Sequence, residues 1–166
     1  TLCSWVLISH HVHQPASVRA GFKALVMTHL GGVFFVVAIC VVFGLTRTFS
    51  FSAIGQLAPA PQAVVFVCLL LAASAKSAQV PLFTWLPDAM EGPTPVSAYL
   101  HAAAMVKAGV YLMARVVFEA GTLPTWAGAL MAGLALVTML VGLVFYFLQD
   151  DLKRFLAYST ITQLGY

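Results

Sequence analysis

The sequence predicts an all-α, polytopic transmembrane helix bundle with one discontinuous helix, and three observations predict it. Of 166 residues, 61% are hydrophobic and only 8% charged, against about 25% charge in a soluble domain. The apolar residues gather into several separate stretches near the roughly 20 residues that cross a bilayer, unlike the single short N-terminal stretch of a signal peptide. Two lysines, Lys76 and Lys107, sit inside such stretches. No charged residue lies between Arg47 and Lys76, and only the titratable His101 lies between Glu91 and Lys107. An ionisable side chain at membrane depth costs roughly 2.5–3.5 kcal/mol on insertion scales, which marks each lysine as a station on an ion pathway. The plainer alternative is a lysine snorkelling from a helix end.

The first helix is expected over 1–9, where TLCSWVLIS makes half a membrane span. The chain ends inside FLAYSTITQLGY, so the sequence is expected to be a piece of a larger polytopic protein. A polar loop follows the first helix, with His10, His11, His13, Gln14 and Pro15. H-H-x-H is not a ligand spacing, so an interfacial loop is expected there and no metal site. The second helix is expected over 22–45, with His29 in a polar notch expected to pack against Gly31 and Gly32, a channel role being the alternative.

The third helix, over 61–77, is expected to break near 78–81. Lys76-Ser77-Ala78-Gln79-Val80-Pro81 is followed by Leu82-Phe83-Thr84-Trp85-Leu86-Pro87. Pro81 has no backbone N–H to donate and disfavours helix in the residue before it, and Pro87 marks a second interruption. Non-helical backbone at membrane depth survives only inside protein or beside water, and interrupted helices are where transporters build ion sites. Lys76 stands one turn before this break.

The fourth helix is expected over 95–118, with Thr94 as N-cap and Pro95 at the first helical position. On it His101 and Lys107 lie six residues apart, about 9 Å along the axis. They point about 120° apart, which suits successive parts of one path rather than a shared face. Ala103 and Ala104 keep the flank of Lys107 slim enough for another helix to approach. The fifth helix is expected over 124–149 and a sixth, cut short, over 151–166.

Loop charges set the orientation. Arg19, Lys23, Lys153 and Arg154 fall on one side and Arg47 and Arg115 on the other. The excess of positive charge places the first group, with the Asp88/Glu91 loop, on the cytoplasmic face. Asp88 and Glu91 have no nucleophile nearby and are expected to cap a helix or meet another subunit. Cys3, Cys40 and Cys68 lack metal-ligand spacing and suit apolar packing. No cysteine cluster, haem motif or glycine-rich nucleotide loop is present, so no cofactor is expected and any redox chemistry would reside in other subunits. A net charge of +3 is too small and dispersed for nucleic acid. Lysine and histidine with few other hydrogen-bonding groups suit protons better than a sugar or amino acid.

Residues 74–115, SAKSAQVPLFTWLPDAMEGPTPVSAYLHAAAMVKAGVYLMAR, resemble the signature of the proton-conducting, antiporter-like membrane subunits. That family includes the largest such subunit of respiratory complex I, the A-type subunit of Mrp cation/proton antiporters and the membrane arm of group 4 nickel–iron hydrogenases. QDDLKRFLAYSTITQLGY at 149–166 and the SWVLI start extend the resemblance over nearly the whole chain. Within the family the motifs most resemble the D-type membrane subunit of hydrogenase-4, with the A-type Mrp subunit second. Gly32 stands where complex I subunits tend to carry Asp, and Lys107 where they commonly have an uncharged residue.

The resemblance implies part of an antiporter-like subunit of about fourteen helices built around interrupted helices, in a bacterial or archaeal inner membrane. Lys76 matches a lysine that pairs in the family with a glutamate, here expected just ahead of Thr1. His101 and Lys107 match positions that connect an input half-channel with the central axis, and Lys153 matches the DLKR lysine, a weaker candidate. The implied activity is proton translocation by a non-catalytic subunit of a hydrogenase-4 or complex I-related oxidoreductase, with other membrane subunits as partners. The alternatives are Mrp-type exchange of protons for Na+, and a structural scaffold whose channel is inactive. A buried amine binds its proton less tightly when desolvated and more tightly beside a carboxylate, so movement of the glutamate would load and expel a proton at Lys76. An imidazole such as His101 suits relay between waters.

Overall fold

A computed structural model describes residues 1–99, 105–121 and 123–166. All regular structure among them is helical: α1 (Leu2–Ile8), α2 (Pro15–Thr46), α3 (Pro59–Lys76), α4 (Trp85–Asp88), α5 (Thr94–Ser97), α6 (Lys107–Glu119), α7 (Thr125–Phe147) and α8 (Leu152–Gly165). Short 3₁₀ turns cover Phe51–Gln56 and Ala89–Glu91. Among the described residues three helices, α2, α3 and α7, are long and apolar enough to cross a membrane.

The second helix begins at Pro15 rather than at 22. Pro15 occupies the first helical position after an extended Gln14, where its missing N–H costs nothing. Ser17, Ala20, Gly21 and Ala24 then form one small-residue stripe that is buried. Against α1, Ser17 Oγ donates to the carbonyl of Ile8 at 2.8 Å. The helix ends where Arg47 turns left-handed, φ 58°.

The fourth helix also departs from expectation. Thr94 is the first residue of α5 rather than its cap, because the carbonyl of Pro93 accepts from Ser97 N at 3.0 Å and takes the capping role. The described residues give α5 and α6 as separate pieces. His101, Ala103 and Ala104 lie outside the described residues, so the spacing expected between His101 and Lys107 does too. At α8, Asp151 is the N-cap, its Oδ1 accepting from Lys153 N at 3.1 Å.

Two clusters hold the helices together. One gathers Ala38 and Val42 of α2, Val65, Phe66 and Leu69 of α3, and Met113 and Val116 of α6. The other surrounds the chain after α3, with Ile8, Ala24, Ala78, Trp85, Leu86, Val106 and Ile161. α2 and α6 both approach α3 through glycine. A Cβ on Gly31 would lie 2.5 Å from Ala75 Cβ, and one on Gly109 would lie 2.4 Å from the Ala73 carbonyl oxygen. Only glycine lets both helices come this close. Cys3 and Cys40 are exposed rather than packed, on outer faces shared with Val36, Val37 and Leu2.

Charges gather at one end. Lys23 of α2 pairs with Asp88 at 2.6 Å, Arg154 of α8 pairs with Glu91 at 3.0 Å, and Lys153 Nζ donates to the Gly92 carbonyl at 3.3 Å. This clasp ties the 77–93 segment to α2 and α8. At the opposite end Arg115 pairs with Glu119 within α6.

Candidate functional site

Lys76 is the last residue of α3, and its depth follows from its neighbours. α2 has 32 residues, about 48 Å at 1.5 Å per residue, longer than the roughly 30 Å hydrocarbon core. Gly31 lies at the middle of α2 and touches Ala72 and Ala75. α3 therefore stops near the middle of the layer that α2 spans.

The helix stops there because the chain is given other partners. Ala78 adopts a left-handed φ of 48°, and Gln79 N donates back to the Ser74 carbonyl at 2.9 Å, the bond of a Schellman-type helix end. The Ala75 carbonyl, freed by the end of α3, accepts from the indole Nε1 of buried Trp85 at 3.0 Å. Ser77 Oγ donates to the Val106 carbonyl at 2.9 Å, Val80 N to Thr138 Oγ1 of α7 at 3.2 Å, and Gln79 Nε2 to the Leu164 carbonyl of α8 at 3.3 Å. Irregular backbone at this depth is thus paired with protein on three sides, as an apolar surrounding demands. The Val80–Pro81 peptide is cis. Pro81 lies in the irregular segment, whereas Pro87 sits inside the short helix α4, in the first turn where a proline is tolerated; Pro87 is not a break.

The Lys76 side chain is half-buried, and Nζ donates to Thr1 Oγ1 at 3.2 Å. It lines two half-open grooves. One, of about 410 Å³, runs past Phe35, Tyr111 and Leu112 to Arg115. The other, of about 460 Å³, is bounded by Thr1, Thr28, His29, Val33 and Val37. Gly32 lines both, and a Cβ there would meet nothing within 4 Å. Both grooves have room for several waters, each needing about 30 Å³.

The other expected residues are placed differently. Lys107 is exposed. It stands two residues before Gly109, which faces α3, so it projects to the other side of α6. Lys153 belongs to the charged clasp, far along α8 from the break. Gly32, Arg115 and Thr138 join the surroundings of Lys76 and its helix end although the motifs did not single them out as pathway residues, and so does His29, for which a channel role is the alternative to packing. Thr138 carried a legible signal: it is the one polar side chain between Trp126 and Tyr146, and such a residue in an apolar span seeks a partner helix.

The family profile described as NADH:quinone oxidoreductase/Mrp antiporter, transmembrane, matches residues 1–166. The chain belongs to this family. It is 44% identical over 174 residues to NADH-ubiquinone oxidoreductase chain 5 of Rhizopus stolonifer, covering 99% of this chain and 26% of that protein. In the Mrp complex from Dietzia sp. DQ12-45-1b, a chain 42% identical superposes with a TM-score of 0.89 over 99% of this chain and 18% of its own length. In the membrane-bound sulfane sulfur reductase, an archaeal respiratory membrane complex, a chain 28% identical superposes at 0.82 over 99% of this chain and 35% of its own. The antiporter-like chain spans about a quarter of the curated relatives it matches. It is an integral membrane segment of that family, whose members occur in fungi as well as bacteria.

Proposed function

We propose that this segment carries the central station of a proton pathway in an antiporter-like subunit, with Lys76 as the group that takes and releases the proton. One observation carries the proposal: Lys76 ends an interrupted helix at mid-depth and opens on two grooves with room for water. A glutamate expected just ahead of Thr1 would continue α1 toward the point that Lys76 Nζ already reaches. Its approach would hold the proton on the amine, and its withdrawal would let the proton go. His101, Lys107 and, less directly, Lys153 would serve as further stations toward other helices of the whole protein. The charged clasp would lie on the cytoplasmic face by its excess of Arg and Lys.

The motif pattern supports a redox-driven complex of the hydrogenase-4 type in a bacterial or archaeal inner membrane, with other membrane subunits as partners. A second reading, exchange of Na+ for protons as in an Mrp antiporter, is favoured by the 0.89 TM-score to the Mrp complex. The test uses the whole complex in vesicles. Lys76→Ala is expected to abolish proton uptake while the complex assembles, and unchanged uptake would overturn the proposal. Proton uptake driven by electron transfer supports the first reading, and uptake driven by a Na+ gradient alone supports the second.

A further inference from the structure

We propose that His29 is a proton relay to Lys76, reached through the groove that the two residues share. The proposal rests on the proton-pathway reading of Lys76 above. His29 is on α2 only two residues before Gly31, so it stands within about one helical turn of the depth at which α3 ends. His29, Gly32, Val33, Val36 and Val37 fall at i, i+3, i+4, i+7 and i+8 and make one stripe, which is the α2 wall of the groove. Lys76 closes the same groove from α3 and Thr1 from α1. Gly32, one turn beyond His29, leaves the space toward Lys76 clear.

The hydrogen bonding prepares the ring for the task. His29 Nδ1 lies 3.3 Å from the Leu25 carbonyl. A carbonyl only accepts, so Nδ1 carries the hydrogen in the neutral ring and Nε2 keeps its lone pair. Among the described residues Nε2 has no partner. A hydrated proton arriving in the groove binds Nε2 and makes the imidazolium. Nε2 then returns that proton through water to the neutral amine of Lys76, which becomes the ammonium. Among the described residues, Lys76 is the one charged side chain facing His29 across the groove, and α1 contributes only the Thr1 hydroxyl. An ionisable side chain at this depth is otherwise a cost with no return.

The experiment measures proton translocation by the complete complex in sealed vesicles for His29→Ala, His29→Gln and Lys76→Ala. His29→Ala is expected to slow translocation by about 100-fold, the low end for removing a proton-transfer group, and millimolar imidazole is expected to restore the rate. His29→Gln, close to histidine in size but unable to take up a proton, is expected to be as slow as His29→Ala. Should the alanine variant fail to assemble, the glutamine rate decides. Wild-type rates in the His29 variants with Lys76→Ala inactive would overturn the relay and leave the role of Lys76 intact. Slowing without imidazole rescue, or full activity in His29→Gln, would show a structural role and overturn it as well. Undiminished pumping by Lys76→Ala would instead remove the reading on which the relay depends.

Discussion

Thr138 decides whether the interruption after α3 is held or merely loose. It is fully buried, donates to the Leu134 carbonyl at 2.8 Å and accepts from Val80 N at 3.2 Å. Thr138→Val keeps the shape of the side chain and removes the acceptor, so the Val80 N–H is left without a partner in an apolar surrounding. An orphaned buried donor costs about 1–3 kcal/mol, while hydrogen bonds between membrane helices average about 0.6 kcal/mol with a maximum near 1.7. The ranges meet at about 1–2 kcal/mol, a factor of 5–30 in a local opening equilibrium. Amide hydrogen exchange in the 77–84 segment, followed by mass spectrometry on the assembled complex, should therefore quicken about 5–30-fold in Thr138→Val. Thr138→Ser, which keeps the hydroxyl, should exchange like the wild type. Equal exchange in Thr138→Val and the wild type, or equal acceleration in the serine variant, would refute the assignment of Thr138 as the partner that holds the break.

Two further perturbations follow from the same geometry. Gly31→Ala and Gly109→Ala place a methyl against Ala75 Cβ and the Ala73 carbonyl, an overpacking worth about 1–3 kcal/mol each; Gly32→Ala meets open space. Thermal unfolding should rank both below Gly32→Ala and the wild type, and the reverse order would contradict the close approach of α2 and α6 to α3. Asp88→Asn breaks a half-exposed ion pair with Lys23, worth at most about 1 kcal/mol and screened by salt. The variant should differ slightly from the wild type at low ionic strength and not at all in high salt, whereas failure to assemble would show that the clasp is stronger than its exposure allows.

The existence of the interruption is legible in the sequence because proline and lysine advertise it: Pro81 cannot continue a hydrogen-bonded helix, and Lys76 is expensive in hydrocarbon. Its mechanism is not. The left-handed residue is Ala78 rather than a glycine, so the usual helix-end signal is missing. The indole of Trp85 reaches the Ala75 carbonyl ten residues back, a pairing that local propensity does not encode. The start of α2 escapes a sequence reading for a related reason. Ser17, Ala20 and Gly21 look like loop in a hydropathy pattern, yet their smallness is what lets α1 lie against α2. The face that Lys107 occupies is not legible either, because a charge in an apolar run says nothing of which side of a helix it lies on; the buried stripe of Gly109, Met113 and Val116 sets it on the side of α6 away from α3.

The way α3 ends also limits how a proton could move there. Its last turns are pinned by glycine contacts from α2 and α6, and the residues beyond are paired with α7, α8 and the start of α6. Shifting the backbone of Lys76 would break several of these at once, each worth about 0.5–1.5 kcal/mol, with close packing on two sides resisting the shift. The side chain carries no such restraint, since its amine meets one hydroxyl and two grooves. A lysine arm on a fixed root can swing between the groove of His29 and the groove of Arg115 around the gap left by Gly32. Rotation of that arm with rearrangement of groove water therefore demands far less than re-forming the helix, and it makes the side chain the moving part.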